Sequence, residues 1–171
     1  EQYVDDLIGT GCIESAKDIC WDIRPHTVFG TIEFRICDMP GTIQDTLALA
    51  ALCQALVVKL TWLYERNIQC YVSPRDYIEV NKWSAMRYGL DGDVIDFMKG
   101  RRISMRDSIH ELLDFVVDVV ADLKCEREMQ YLRTLLADPA GTGADRQLAT
   151  YRRTGNIDEV NRFLMQRTMD G

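Results

Sequence analysis

The chain has 171 residues, of which 47% are hydrophobic and 27% charged, and this composition is typical of a globular protein rather than a disordered or collagen-like one. Its length suits one domain, or about half of a larger one. The formal net charge of −7 argues against a nucleic-acid partner, because no basic excess is available to neutralise a phosphate backbone. A local basic pocket for one small anion is compatible with this charge.

The longest apolar stretch runs from Leu47 to Leu60 and is interrupted by Gln54 and Lys59. We expect it to be too short and too polar to span a bilayer, so no membrane partner is predicted. The acidic first residues do not resemble a secretion signal. Because the sequence lacks an initiator Met and starts inside a predicted helix, we expect it to be a piece of a longer chain.

The six cysteines show no C-x-x-C spacing, and several lie in apolar runs. Zinc sites need paired short spacings, and secreted disulfide scaffolds are shorter and richer in cysteine. The pattern therefore predicts buried, reduced thiols of a cytoplasmic protein. His26 and His110 are too few and too far apart to indicate a histidine-based metal site.

Hydrophobic periodicity and capping residues predict alternating elements in chain order. The first part of the chain is predicted to hold a helix over residues 1–8 ended by Gly9 and Gly11, a strand over 19–24 ended by Pro25, and a strand over 31–37. The rest is predicted to begin with a central, buried helix from Thr42 to about Arg66, followed by a helix opened by Ser73 and Pro74 and ended near Tyr88. Residues 93–103 are predicted to form a small hairpin or loop around residues 99–101. The last predicted elements are a helix from Ser104 to about Lys124 and helices over 126–136, 144–153 and 157–169. These elements predict an α+β fold with a majority of helix.

The first two strands predict a hairpin with one polar and one apolar face. Side chains alternate along a strand, so the faces stay segregated only if Arg24 lies opposite Thr31 or Glu33. In that register four charged side chains share one face, namely Asp22, Arg24, Glu33 and Arg35. The apolar set is then expected to face the central helix, and it comprises Trp21, Ile23, Ile32, Phe34 and Ile36.

The charged face has two interpretations. It can be the solvated outer face of an antiparallel sheet with cross-strand ion pairs, each of which contributes little. Alternatively, its carboxylate can bind a divalent cation beside guanidinium groups that bind phosphate oxygens. One glutamate and two arginines at this spacing do not decide between the two.

Three sequence blocks resemble the type 2 glutamate–cysteine ligase family, whose members are ATP-dependent carboxylate–amine ligases of the glutamine synthetase superfamily. The first block is Trp21–Pro25 followed by Phe29–Asp38, the second is Asn81–Leu90, and the third is Gly141–Leu148. Together, and in this order, they cover nearly the whole chain. The resemblance implies that residues 1–171 are the C-terminal part of a glutamine synthetase-like catalytic domain, and that an N-terminal half with further metal-binding carboxylates is absent.

The implied fold is a curved antiparallel sheet whose concave face forms the active site, with helices packed on the other face. By position in the family motifs, Glu33 is expected to bind Mg²⁺. Arg35 is expected to act in catalysis by contacting the transferred phosphoryl group or the activated carboxylate. Arg24 is expected to contact nucleotide phosphates. Asp22, on the same face, is expected to contact substrate.

The second block places Asn81 and Arg87 on one helix as substrate-binding candidates. They are six residues apart, about 600° of helical rotation, so they do not share a face and at most one can point into the site. For Asn81, a hydrogen-bonding structural role and a substrate contact remain equal alternatives.

The implied reaction joins glutamate to cysteine, or to another amine, through an acyl phosphate, with ATP and Mg²⁺ as the expected cofactors. A free carboxylate is a poor electrophile, and phosphorylation supplies its leaving group. The alternative is a non-catalytic α+β interaction or oligomerisation domain. The resemblance and the apolar helices are also compatible with a homodimer.

Two further features have structural explanations. Gly141-Thr142-Gly143 precedes a helix and could bind a phosphate at the helix N-terminus, but a flexible connection is preferred. Arg101 and Arg102, beside Gly100, are predicted to form a solvated loop tip.

Overall fold

The computed structural model describes residues 2–26 and 29–170. It is 64% helical with two small antiparallel sheets, which confirms the majority-helical α+β class. The glutamine synthetase-like arrangement of the sheet remains a prediction. The chain divides into two compact units, Glu1–Met39 and Pro40–Gly171.

The first unit contains two helical segments and a two-stranded hairpin. Its elements are helix α1 (Gln2–Gly9), a 3-10 turn (Ala16–Asp18), and strands β1 (Ile23–His26) and β2 (Thr31–Phe34). The helix ends as predicted, with Gly11 in a left-handed conformation just beyond it. Two residues of the predicted hairpin loop, Thr27 and Val28, lie outside the described residues.

The register of the first hairpin pairs Arg24 with Glu33 and Ile23 with Phe34. This confirms the segregated arrangement, because residues of like polarity now lie opposite each other. The apolar face keeps much of its surface exposed, since Ile23 is 49% and Ile32 is 50% accessible.

Strand β1 begins later than predicted and continues through Pro25, so the expectation that Pro25 ends the strand is wrong. Pro25 lies opposite Ile32. Three residues before Pro25, the carbonyl oxygen of Asp22 accepts a hydrogen bond from the Arg35 N–H at 2.8 Å. Because hydrogen-bonded pairs alternate along an antiparallel ladder, Pro25 falls at a non-bonded position and removes no ladder bond.

The second unit contains seven helices and a second hairpin among its described residues. In chain order these are α2 (Ile43–Glu65), α3 (Arg75–Tyr88), a 3-10 turn (Gly89–Asp91), β3 (Asp93–Asp96), β4 (Arg101–Ser104), α4 (Met105–Phe115), α5 (Val117–Leu123), α6 (Glu126–Ala137), α7 (Gly143–Thr154) and α8 (Ile157–Asp170).

The predicted helix starts at Thr42 and Ser104 are confirmed. The Thr42 hydroxyl accepts the Asp45 N–H at 3.0 Å, and the Ser104 hydroxyl accepts the Asp107 N–H at 3.0 Å. The start of α3 differs from the prediction, because Pro74 rather than Ser73 is the N-cap and no side chain caps that end.

The helix predicted from Ser104 to Lys124 is two helices, broken at Val116. This residue has φ −97° and ψ 0°, outside helical geometry. It is followed by further β-branched valines, which have low helix propensity. Val116 itself is fully buried, so packing decides its conformation here.

The core of the second unit lies among α2, α4, α5 and α6. Its two largest fully buried side chains are Leu113 and Val116. The other buried members of the cluster are Ala51, Ala55, Leu90, Val119, Val120, Cys125, Met129 and Leu136.

Helix α2 buries one narrow face, formed by Ala48, Ala51 and Ala55. Large apolar residues such as Leu47 and Tyr64 stay exposed on its other faces. The prediction of a centrally buried helix is therefore wrong for this chain. The small alanines let neighbouring helices approach closely on one side, and an all-round apolar pattern does not reveal which side is covered.

By length and composition alone, α2 could cross a membrane, contrary to the expectation that this stretch is too short and too polar. That expectation considered only the stretch from Leu47 to Leu60 and treated Gln54 and Lys59 as interruptions, whereas the helix extends from Ile43 to Glu65. Core helices of water-soluble proteins meet the same criterion, so it does not by itself assign a membrane location.

The prediction that the cysteines are buried is also wrong for most of them. Four cysteines are exposed, namely Cys12, Cys20, Cys37 and Cys70. They lie in turns and connections beside the apolar runs, where neighbouring hydrophobic residues do not enforce burial. Cys125 is buried, and burial raises the pKa of its thiol, which favours the protonated form.

Candidate functional site

The charged face of the first hairpin is organised around Glu33. One carboxylate oxygen of Glu33, Oε2, contacts two nitrogens of Arg24, Nη2 at 2.7 Å and Nε at 2.9 Å. The other oxygen, Oε1, faces Nη1 of Arg35 at 3.7 Å. Arg24 lies opposite Glu33 on the neighbouring strand, and Arg35 follows Glu33 by two residues. The Glu33 carboxylate therefore lies between two guanidinium groups, as the register predicts.

Arg24 is held by the rest of the first unit. Its side chain is only 14% exposed. Its Nη1 donates to the carbonyl oxygen of Lys17 and, at 3.5 Å, to that of Ile19. All three nitrogens of Arg24 are therefore engaged, which favours a role in orienting Glu33 over the predicted contact with nucleotide phosphates.

Glu33 and Arg35 form the accessible part of this face. Their side chains are 41% and 38% exposed, and their ion pair is long. Oε1 of Glu33 and the guanidinium of Arg35 can therefore bind a ligand without losing a short hydrogen bond to each other. Asp22 is half-buried beside them, and its carbonyl oxygen holds the backbone of Arg35.

These residues fit a magnesium ion that is shared with a phosphate ligand. Within residues 2–26 and 29–170, no group of three or more His, Cys, Asp or Glu side chains is placed to hold a metal ion. Mg²⁺ in phosphoryl-transfer sites is commonly bound by one or two carboxylates together with substrate phosphates and water. Oε1 of Glu33 could be one such ligand, and the guanidinium of Arg35 beside it could pair with a phosphate.

Asn81 has a structural role in the second unit. Its amide nitrogen donates to the carbonyl oxygen of Ile95 and its amide oxygen accepts the Ile95 N–H, both at 2.9 Å. One turn further along α3, the Ser84 hydroxyl donates to the carbonyl oxygen of Asp93 at 2.5 Å. Both side chains attach α3 to β3, which favours the structural alternative for Asn81 over a substrate contact.

Arg87 lies on a different face of the same helix and is exposed. Its guanidinium lies 5.7 Å from the centre of the Tyr88 ring. Of the two candidates in the second block, Arg87 is thus the one available to a ligand. Glu33 and Arg35 belong to the first unit, and Arg87 belongs to the second.

The third block forms a loop that caps its own helix. The Asp145 carboxylate accepts the N–H and the hydroxyl of Thr142 at 2.7 and 2.8 Å. Arg146 closes the loop through Asp138 and the carbonyl oxygen of Gly141. A carboxylate already occupies the helix N-terminus, so this motif is a closed structural turn rather than a phosphate cradle or a flexible connection.

The second hairpin corrects one expectation. Arg101 and Arg102 lie in strand β4 rather than at a loop tip. Arg101 pairs with Glu111 at 2.6 Å and Asp96 at 3.4 Å, and Arg102 faces Asp93 at 3.7 Å. All of these pairs are partly or largely exposed, so their contribution to stability is small.

The sequence did not predict a partly buried cluster in the second unit, formed by Asp45, Tyr131 and Arg167. Asp45 accepts the Tyr131 hydroxyl at 2.5 Å and Nη2 of Arg167 at 3.3 Å. Burial raises the pKa of Asp45, but hydrogen bonds from Tyr131, Thr42 and Arg167 outweigh it and hold the pKa below its ordinary value. Burial and the hydrogen bond to Asp45 raise the pKa of Tyr131. The only sequence signal was the relation of Thr42 to Asp45 at the start of α2.

Comparisons with known proteins agree on one family. A family model described as glutamate–cysteine ligase family 2 matches residues 1–162. Curated proteins from Solibacter usitatus, Sorangium cellulosum and Chloroflexus aggregans are 47%, 46% and 44% identical over all 171 residues. Each is named "Putative glutamate--cysteine ligase 2", and the matched segment covers 44%, 45% and 43% of them, respectively. The chain therefore spans less than half the length of these relatives.

Proposed function

Because the chain belongs to glutamate–cysteine ligase family 2, we propose that it is part of an ATP-dependent ligase that joins the γ-carboxylate of glutamate to the amine of cysteine. Family membership supports a ligase-type enzyme. The reaction, its cofactors and the roles of individual residues are our proposals. The same holds for a cytoplasmic location and for a homodimer.

The proposed reaction depends more on electrostatic stabilisation of the transition state than on covalent catalysis. A glutamate γ-carboxylate oxygen attacks the γ-phosphorus of ATP, and the bond to the ADP oxygen breaks, which gives an acyl phosphate and ADP. The amine of cysteine then attacks the acyl carbon, loses a proton and expels inorganic phosphate. Positively charged groups beside the transferring phosphoryl group lower this barrier.

The residues of the first hairpin suit this task. Arg35 would contact the oxygens of the transferred phosphoryl group, and Glu33 Oε1 would hold Mg²⁺. When bound, Mg²⁺ would neutralise charge on the phosphates. Arg24 would act as a positioning residue, because it fixes the other oxygen of Glu33 through Nε and Nη2. Asp22 and the exposed Arg87 remain proposed substrate contacts.

The observation that carries this proposal is the asymmetric environment of Glu33. One of its oxygens is fixed by two contacts shorter than 3 Å, while the other has, among the described residues, a 3.7 Å contact to Arg35, and the Glu33 side chain is 41% exposed. A purely structural surface ion pair needs only the first interaction. A ligand-binding carboxylate needs the second oxygen to be available.

The test is ADP release by the full-length protein in the presence of Mg²⁺, glutamate and cysteine. Arg35→Ala should lower kcat/KM by about a hundredfold, as expected for loss of a charge that stabilises the transition state. Arg102→Ala is a matched control, because Arg102 also lies on a hairpin with its carboxylate partner at 3.7 Å. It should leave activity unchanged.

Two results would overturn the proposal. One is ADP release that does not require both glutamate and an amine. The other is equal activity in the Arg35→Ala and Arg102→Ala proteins, which would favour a non-catalytic domain whose sheet charges are merely solvated.

A further inference from the structure

An open pocket of about 370 Å³ lies in the second unit, where the beginning of α2 meets α6 and α8. The residues important here are Tyr131 of α6 and Phe163, Arg167 and Asp170 of α8. The family model ends at residue 162, so the three α8 residues lie outside the segment that it matches. None of the residues proposed for the ligase reaction lines this pocket.

Arg167 is a half-buried cation with few hydrogen-bond partners among the described residues. Its side chain is 18% exposed, and its hydrogen bond within the described part of the chain is the 3.3 Å contact from Nη2 to Asp45. Its Nε is buried and has no hydrogen-bond partner among the described residues. Nε lies close to Gly41, where an added Cβ would come within 3.2 Å of it. A ligand cannot reach the buried Nε, so it would bind at the Nη groups, whose hydrogen bond among the described residues is the long one to Asp45. Guanidinium groups with little exposure are normally well paired, so this edge of Arg167 has capacity for an anionic ligand.

Asp170 supplies the opposite charge at the same pocket. It lies three residues after Arg167, which places both on neighbouring positions of one helix surface. Its carboxylate accepts Nε2 of Gln166 at 2.8 and 2.9 Å and is otherwise exposed. The rings of Tyr131 and Phe163 provide the apolar part of the lining.

We propose that this pocket binds a free α-amino acid with an apolar side chain. Arg167 binds its carboxylate, Asp170 binds its ammonium group, and the side chain packs against Tyr131 and Phe163. A cation and an anion beside aromatic rings are complementary to a zwitterion with a hydrocarbon group, and the volume is in the range of small-molecule sites. This inference does not rest on the proposed ligase reaction.

The test is calorimetric titration of the full-length protein with L-leucine and two analogues. The first analogue, 4-methylpentanoate, lacks the ammonium group, and the second, 3-methylbutylamine, lacks the carboxylate. Leucine should bind more tightly than either. Arg167→Gln should weaken leucine binding by about tenfold or more, because a charge-assisted hydrogen bond is lost. Arg162→Gln is the matched control, since Arg162 lies on the same helix and is 70% exposed.

Asp170→Asn guards against a folding defect in Arg167→Gln, because Asp170 is exposed and lies in the last turn of α8. It should weaken binding of leucine and 3-methylbutylamine but not of 4-methylpentanoate. Glu33→Gln should bind leucine like the unmodified protein, which separates this site from the proposed ligase site. Absence of leucine binding at millimolar concentration, or equal binding by both pocket variants and the control, would overturn the proposal.

Discussion

Asn81 and Ile95 form a closed pair of hydrogen bonds, in which a side-chain amide takes the place of a neighbouring strand. The amide of Asn81 donates to the Ile95 carbonyl oxygen and accepts the Ile95 N–H, both at 2.9 Å. Helix α3 is thereby attached to the edge of β3 at a defined position along both elements. This contact gives Asn81, the first residue of the second sequence block, a structural role.

We predict that Asn81→Ala destabilises the second unit by about 2 kcal/mol, because it leaves a donor and an acceptor of Ile95 without their partner. Urea unfolding of the full-length protein measures this change. Asn161→Ala is a suitable control, since Asn161 is exposed on α8. Equal stability of the two variants would show that the Asn81 amide contributes nothing to the fold.

The second unit should become less stable at acidic pH, because the Asp45 carboxylate becomes protonated. Because its pKa is lowered in the folded protein, the Asp45 carboxylate contributes stability that is fully present above its ordinary pKa of 3.8. That contribution is lost as the pH falls through the lower, folded-state pKa. The free-energy difference between the unmodified protein and Asp45→Asn should therefore shrink from pH 7 to pH 3. A difference that is constant with pH would contradict the proposed role of the carboxylate charge.

Tyr131→Phe should destabilise the protein by about 1.5–3 kcal/mol at pH 7, because it removes a hydrogen bond to a charged group in a partly buried cluster. The same substitution should weaken the pH dependence that Asp45 produces. Unfolding curves at two pH values measure both effects. If Tyr131→Phe left the free energy of unfolding unchanged, water would replace the Tyr131 hydroxyl at no energetic cost, which would contradict this prediction.

Gly141 should be intolerant of a side chain for two separable reasons. Its φ is +68°, and an added Cβ would lie 2.3 Å from Oδ2 of Asp145. Gly155 has a similar φ of +63° with nothing within 4 Å of an added Cβ. Gly155→Ala should cost about 1–2 kcal/mol from backbone conformation alone, and Gly141→Ala should cost more. Equal losses in thermal unfolding would show that the loop opens freely around Asp145.

Local patterns predicted much of the fold because their causes are local. The alternation of polar and apolar residues along 31–37 predicted which hairpin residues share a face. The capping hydroxyls of Thr42 and Ser104 predicted where two helices begin. Contacts between distant residues were not predictable. Arg167 and Asp45 are 122 residues apart, so no short-range pattern connects them.

The incorrect predictions have the same origin. Whether a strand tolerates Pro25 depends on its hydrogen-bonding position opposite β2, and whether Val116 interrupts a helix depends on packing of the core. The covered side of α2 depends on which helices meet its alanines. For the candidate site, the shared face of Glu33 and Arg35 was predicted, whereas the fixation of Arg24 by backbone carbonyl groups required the structure.

The most direct test of the central claim is Mn²⁺ binding, measured by electron paramagnetic resonance with the full-length protein and ADP. Glu33→Gln should weaken Mn²⁺ binding by at least about tenfold, because the ion loses a carboxylate ligand. Glu111→Gln is the matched control, since Glu111 is also a partly exposed glutamate paired with an arginine on a hairpin, at 2.6 Å. It should bind Mn²⁺ like the unmodified protein. Unchanged Mn²⁺ affinity in Glu33→Gln would contradict the assignment of Glu33 as a metal ligand.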